Sequence, residues 1–251
     1  MKRIRYAATT ALLGALLATP AHHAGAPVPV ATTVDVLGQP STADGIAILV
    51  PGVGTTPANL ATTTGVMARS LYGSAGRLAP PGDVAVVAWL GYRPPGGLGP
   101  DAAREDRARA GAAALSGYVS RLVAGRPHVR VTLIGHSYGA IVVGLAAATL
   151  PAQVTDLVAL GAPGMGADRA ADLGTTARVW AAESPHDWIR LVPEVRLFAL
   201  GLGTRPATDS FGARELPTAG VSRHDGYLTD GSATLPAVAG IVADGAGAVA
   251  R

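Results

Sequence analysis

The chain has 251 residues with 49% hydrophobic content, enough to bury one sizeable core. Its formal charge of +3, from 20 basic and 17 acidic residues, is carried by Lys2, Arg3 and Arg5, so no dense basic run is left for a nucleic-acid backbone. With no cysteine there is neither a disulfide framework nor a thiolate metal site.

The chain opens with a basic stretch, Met1-Lys2-Arg3-Ile4-Arg5, followed by an apolar run from Ala7 to Ala18. That run has about the length of a signal-peptide core and is short for a bilayer span. Small residues at Thr19-Pro20-Ala21 and Ala24-Gly25-Ala26 offer two cleavage places. Residues 1–24 therefore read as a signal peptide, with an uncleaved anchor as the alternative, and export to the envelope or the medium is expected. Residues 25–43, mixing proline, threonine and glycine, read as a linker, and residues 44–251 as one domain.

Gly45 to Val50 is a continuous apolar strand ended by Pro51-Gly52. Thr56-Pro57 is the expected start of a helix running to about Tyr72, with Thr56 as its cap. Asp83 to Leu90 is a second buried strand, and a proline- and glycine-rich loop follows from Tyr92 to Pro100. Between Asp101 and Ala124, the apolar residues Ala108, Ala112, Leu115, Val119 and Leu122 recur at steps of four and three, which predicts an amphipathic helix. Strands are expected over Val129–Ile134, Asp156–Leu160 and Arg178–Ala182, and a last helix over Ser232–Val242. Continuous apolar strands alternating with helices predict an α/β fold, a mostly parallel sheet with helices on both faces. The short stretch between Leu160 and Arg178 leaves no room for a large cap.

Gly135-His136-Ser137-Tyr138-Gly139 stands between the β-branched strand and the apolar helix that begins at Ala140. A G-x-S-x-G in that setting is a nucleophile elbow, where only small residues fit two positions either side of the serine. A serine hydroxyl needs a base and an acid that orients it, and after this elbow they follow in the order acid, then histidine. His224 precedes the last helix and follows every strand, so it is the candidate base. Asp187, in the loop beyond the Arg178–Ala182 strand, is the candidate acid. Glu183 is its nearest rival, and Asp225 ranks low because it adjoins His224. His136 is expected to point away from the serine.

Backbone N–H donors for an oxyanion are expected from Tyr138 and, in the loop after the first strand, from Val53, with Gly54 next. Trp89 and Tyr92 leave the second strand at the same sheet edge and suit either a substrate pocket or the core. No acidic or histidine cluster has metal-ligand spacing, and the Pro51–Thr56 loop lacks nucleotide-binding signatures, so no cofactor and no metal are expected.

Together these features resemble the α/β-hydrolase superfamily, and more closely an actinobacterial α/β-hydrolase group long catalogued as a domain of unknown function. The resemblance rests on Pro51-Gly52 with Thr55-Thr56, Trp89-Leu90-Gly91-Tyr92, the elbow, Gly161-Ala162-Pro163-Gly164, Phe211-Gly212-Ala213-Arg214, and His224 with Tyr227. It implies a minimal α/β-hydrolase fold and a serine hydrolase in which Ser137, Asp187 and His224 act together. A small-molecule ester or lipid is the implied substrate. Amide or thioester cleavage, or a catalytically silent lipid or cell-wall binder, stand as alternatives. Pro51-Gly52 replaces the His-Gly frequent at the oxyanion loop of such enzymes.

Overall fold

The computed structural model describes residues 31–97, 106–192, 196–197 and 200–247; the expected leader lies outside them. Thr33–Leu37 (β1) falls inside the stretch expected to be a linker. It forms the antiparallel edge of the sheet, with Thr33 opposite Leu90 and Leu37 opposite Val86. Its residues alternate between half-buried and exposed, so a short edge strand with one wet face left no apolar run to read.

Gly45–Val50 (β2), Val84–Leu90 (β3), Arg130–His136 (β4), Val154–Leu160 (β5) and Arg178–Ala182 (β6) follow, all parallel. Every residue of β2 and β3 is buried, because helices cover both faces. A hairpin of Arg196–Leu197 (β7) and Leu200–Gly201 (β8) stands apart, and Arg214–Glu215 (β9) closes the far edge beside β6. The seven-stranded order is β1-β3-β2-β4-β5-β6-β9. From β2 the chain moves outward to β3 and then returns to place β4 on the other side of β2. The order reverses there, and the carboxyl ends of β2 and β4 frame a crevice. Val50 and Gly135 are register partners at its base.

Among the described residues four helices cover the sheet: Thr64–Ala75 (α1), Asp106–Leu122 (α2), Gly139–Ala146 (α3) and Thr234–Gly247 (α4). α1 packs with α4, and α2 with α3. Ala108, Ala112, Leu115 and Val119 form the buried stripe of α2, whose expected first turn lies in residues outside the description. α1 begins seven residues later than its Thr-Pro signal suggests. Asn59 intervenes: its side chain accepts from the Thr56 N–H at 2.7 Å and donates to the Gly54 carbonyl at 3.1 Å. The Thr62 and Thr63 hydroxyls then donate back to the Asn59 carbonyl, at 3.1 and 2.8 Å. Such local bonds hold the backbone in turns before the helix starts.

One carboxylate is buried in the sheet. Asp156 of β5 accepts from Arg178 at 2.7 and 2.9 Å and from the Trp180 indole at 2.8 Å, both on β6. Between β5 and β6 the chain holds only a short 3-10 turn, Ala170–Leu173. Among the described residues no helix is long and apolar enough to cross a membrane.

Candidate active site

β4 ends at His136 and α3 begins at Gly139, so Ser137 and Tyr138 alone turn the chain from strand to helix. Ser137 pays for this with φ 55°, the only positive φ of a non-glycine residue among the described residues. The flanking glycines are required by close approach. A Cβ on Gly139 would lie 2.1 Å from the Val50 carbonyl oxygen, and one on Gly135 would lie 2.4 Å from the Ala140 Cα.

The loop after β2 passes directly over this turn, since a Cβ on Gly52 would stand 2.8 Å from the Ser137 Cβ. It is held on both sides: the Tyr92 hydroxyl donates to the Pro51 carbonyl at 2.5 Å, and the Gly54 N–H donates to the Pro95 carbonyl at 2.8 Å. That second bond occupies the Gly54 N–H, and Val53 lines the cleft above Ser137.

Tyr92 and Trp89 are buried, and neither lines the cleft that holds Ser137. Trp89 packs on Tyr92 and Tyr118, and Tyr92 stacks on Tyr138 with ring centres 6.4 Å apart. The seven buried residues of β3 lead these rings into the core, where Tyr92 supports the site through its bond to Pro51 and its stacking on Tyr138.

Asp187 and His224 lie on loops after β6 and β9, far apart in sequence, and meet side by side. The His224 Nδ1 lies 2.8 Å from one Asp187 carboxylate oxygen and 2.9 Å from the other. A carboxylate only accepts, so Nδ1 carries the proton and Nε2 is left as the basic nitrogen. Asp187 also accepts from the Ile189 N–H at 2.9 Å and from the Tyr227 hydroxyl at 2.6 Å. Burial alone pushes its carboxyl up, but the bonds from His224, Tyr227 and Ile189 outweigh that and hold it below its ordinary value. Burial and the bond to Asp187 raise the Tyr227 phenol far above the tyrosine range, so it stays a donor. Tyr227 in turn accepts from the Ser184 N–H at 3.0 Å.

The rival acids are engaged elsewhere. Glu183 pairs with Arg190 at 3.3 Å and Arg205 at 3.4 Å, and exposed Asp225 with Arg223 at 2.8 Å. Gly161, at φ 54°, leaves the room that the pair occupies: a Cβ there would lie 2.7 Å from Asp187 Oδ2 and 3.2 Å from the His224 ring.

His136 does not turn its back on the site. Its Nε2 donates to the His224 carbonyl at 2.8 Å, and its ring centre lies 4.8 Å from that of His224. Burial, with His224 adding to it, lowers the His136 imidazole to about 4. Trp188 packs against the His224 ring with centres 4.4 Å apart. Tyr227, Trp188 and the His136 contact have no spacing signature. Of these, Tyr227 alone was named in the sequence, beside His224, and only through the family resemblance.

Ser137, His136 and His224 line one cleft of about 370 Å³, together with the Val53 loop and the start of α1. Among the described residues no group of three or more His, Asp or Glu side chains is placed to hold a metal. The arrangement brings a serine hydroxyl and an oriented imidazole to one cleft.

Comparison with known proteins agrees with this geometry. Residues 26–197 match the family model described as alpha/beta hydrolase. Two uncharacterized proteins of Mycobacterium tuberculosis, from strains H37Rv and CDC 1551, are each 32% identical over 237 residues, covering 82% of this chain. The chain spans 36% of the length of those relatives. Among solved structures, esterase PE8 superimposes with a TM-score of 0.53 at 18% identity, covering 86% of this chain and 99% of its own. A dienelactone hydrolase from Anabaena variabilis gives 0.50 at 20% identity over 86% of this chain and 94% of its own. A Paleococcus ferrophilus monoacylglycerol lipase gives 0.50 at 14% identity, over 86% and 100%. These likenesses are of fold. With the family model matching residues 26–197, well over half of the chain, the chain belongs to the alpha/beta hydrolase family.

Proposed function

We propose that the protein is a serine hydrolase that cleaves carboxylic esters through an acyl-enzyme. The observation that carries this reading is the Asp187–His224 pair, bonded at 2.8 and 2.9 Å, with His224 lining the same cleft as a serine on a strained elbow. Ser137 Oγ attacks the ester carbonyl carbon while its proton passes to His224 Nε2. The carbonyl π electrons move onto oxygen, and the backbone N–H groups of Val53 and Tyr138 stabilise that oxyanion. As the tetrahedral intermediate collapses, the C–O bond to the alcohol breaks and His224 returns the proton to the leaving oxygen. Water, deprotonated by His224, then attacks the acyl-Ser137 carbonyl and releases the acid. Asp187 stays ionised, fixing the imidazole tautomer and stabilising its charged form.

The basic and apolar start of the chain supports export, with residues 1–24 removed and residues 44–251 as the catalytic domain. The substrate is a small-molecule ester, and neither a cofactor nor a nucleic acid takes part. A panel of nitrophenyl esters of rising acyl length, run beside a nitroanilide, tests the reaction class. Turnover of esters well above anilides is expected. Faster anilide cleavage would make the protein an amidase, and no turnover of either by folded protein would leave a silent binder.

A further inference from the structure

The cleft has one wall whose polar groups the proposed reaction does not use. Thr55, in the loop after β2, and Thr64, the first residue of α1, both line it and are more than nine-tenths buried, at 9% and 5% exposure. Neither hydroxyl is tied to a neighbour as those of Thr62 and Thr63 are, and both reach the open cleft. The neighbouring threonines differ. Thr62 and Thr63 donate to the Asn59 carbonyl, and Thr229 across the cleft donates to the Gly226 carbonyl at 2.8 Å. Thr55 and Thr64 are therefore the two threonines of this cleft with a donor left for a bound molecule. The start of α1 adds no anion preference of its own, because Asp35 already lies beside it: a Cβ on Gly65 would stand 2.6 Å from the Asp35 carboxylate, which pairs with Arg69 at 3.2 Å.

The direction of the ester follows from the chemistry. The leaving oxygen must reach His224 to receive its proton, so the alcohol lies toward the Arg223–Asp225 loop. The acyl group then extends toward the rest of the lining, to which Thr55, Thr64, Val66 and Met67 contribute from the loop after β2 and from α1. A plain alkyl chain there would cover two hydroxyls without giving them an acceptor, which is unfavourable for each. An acyl group bearing an ether or hydroxyl oxygen satisfies them while its carbons meet Val66 and Met67. Resting on the serine-hydrolase reading, we propose that Thr55 and Thr64 are specificity residues that select short acyl groups carrying such an oxygen over unsubstituted fatty acyl groups.

Nitrophenyl methoxyacetate and nitrophenyl butyrate test this, since they differ by one oxygen in place of one methylene. The readout is the methoxyacetate-to-butyrate ratio of kcat/KM, compared between wild type and variants so that intrinsic ester reactivity cancels. Thr64→Val should lower the ratio about tenfold, the effect of one neutral hydrogen bond. Thr55→Val, outside any helix, should lower it similarly and serves if the Thr64 variant folds poorly. Thr64→Ser, which keeps the hydroxyl, should hold the ratio at the wild-type value. Turnover of both esters with the ratio unchanged in both valine variants would overturn the proposal while leaving the hydrolase reading intact. A wild type that cleaves neither ester would overturn the hydrolase reading itself, and this proposal with it.

Discussion

Tyr227 donates its hydroxyl to Asp187 Oδ2 at 2.6 Å, on the carboxylate that already receives the His224 Nδ1 proton. The phenol is wholly buried and anchored by the Ser184 N–H at 3.0 Å, and the Ser184 hydroxyl donates to the Val221 carbonyl at 2.6 Å. The loop after β6 and the loop before α4 are thus tied to each other at the point where acid and base meet.

Removing that donor should loosen Asp187 without emptying the cleft. Tyr227→Phe is expected to lower kcat roughly tenfold with little change in KM, because one charge-assisted hydrogen bond is lost behind the imidazole. It should also cost about 1–3 kcal/mol of stability, since the Ser184 N–H loses its acceptor. Steady-state kinetics beside urea unfolding separates the two effects. A KM rise with kcat unchanged would contradict the positioning role.

The acid assignment is tested by a pair of amides. Asp187→Asn should reverse the imidazole tautomer and lower turnover on the order of 10⁴-fold in a folded protein. Glu183→Gln should retain most activity, because Glu183 faces Arg190 and Arg205 instead of His224. The opposite ranking would move the acid to Glu183.

The two carboxylates show how far sequence reasoning reaches. Both follow β6, and loop position favoured Asp187 with Glu183 as its rival; the fold separates them by the partners it brings up, arginines for Glu183 and His224 for Asp187. The elbow and the central strands were legible because each is a local pattern, an apolar run or a small-residue turn. β1 and β9 were not, being a five-residue edge with one wet face and a two-residue pairing. By sequence Trp89 and Tyr92 suited either a substrate pocket or the core, and an aromatic cluster spanning β3, α2 and the elbow draws them inside.

His136 gives the protein a pH-dependent stability. Its imidazole is held neutral at about 4 in the folded chain, whereas an unfolded histidine takes up a proton near 6.5. Between these values the unfolded state binds more protons, so stability falls as pH drops from about 6.5 to about 4, and above about 6.5 the effect vanishes. The full difference is about 3 kcal/mol. Chemical denaturation of His136→Gln across this range should show a flatter pH dependence than wild type. Equal slopes would mean that His136 titrates normally in the fold.

The buried pair in the sheet should behave as a structural element. Arg178→Met leaves the Asp156 carboxylate buried with only the Trp180 indole and its own neighbour Thr155, and is expected to cost about 3 kcal/mol. Thermal unfolding checks this, and per-molecule activity of the folded variant should stay near wild type because the pair lies away from the cleft.

The most direct test of the central claim is intact-protein and peptide mass spectrometry after treatment with a fluorophosphonate. A single adduct on the peptide carrying Ser137, absent from Ser137→Ala and slowed strongly in His224→Ala, is the predicted result. An adduct on another serine, or undiminished labelling of Ser137→Ala, would contradict it.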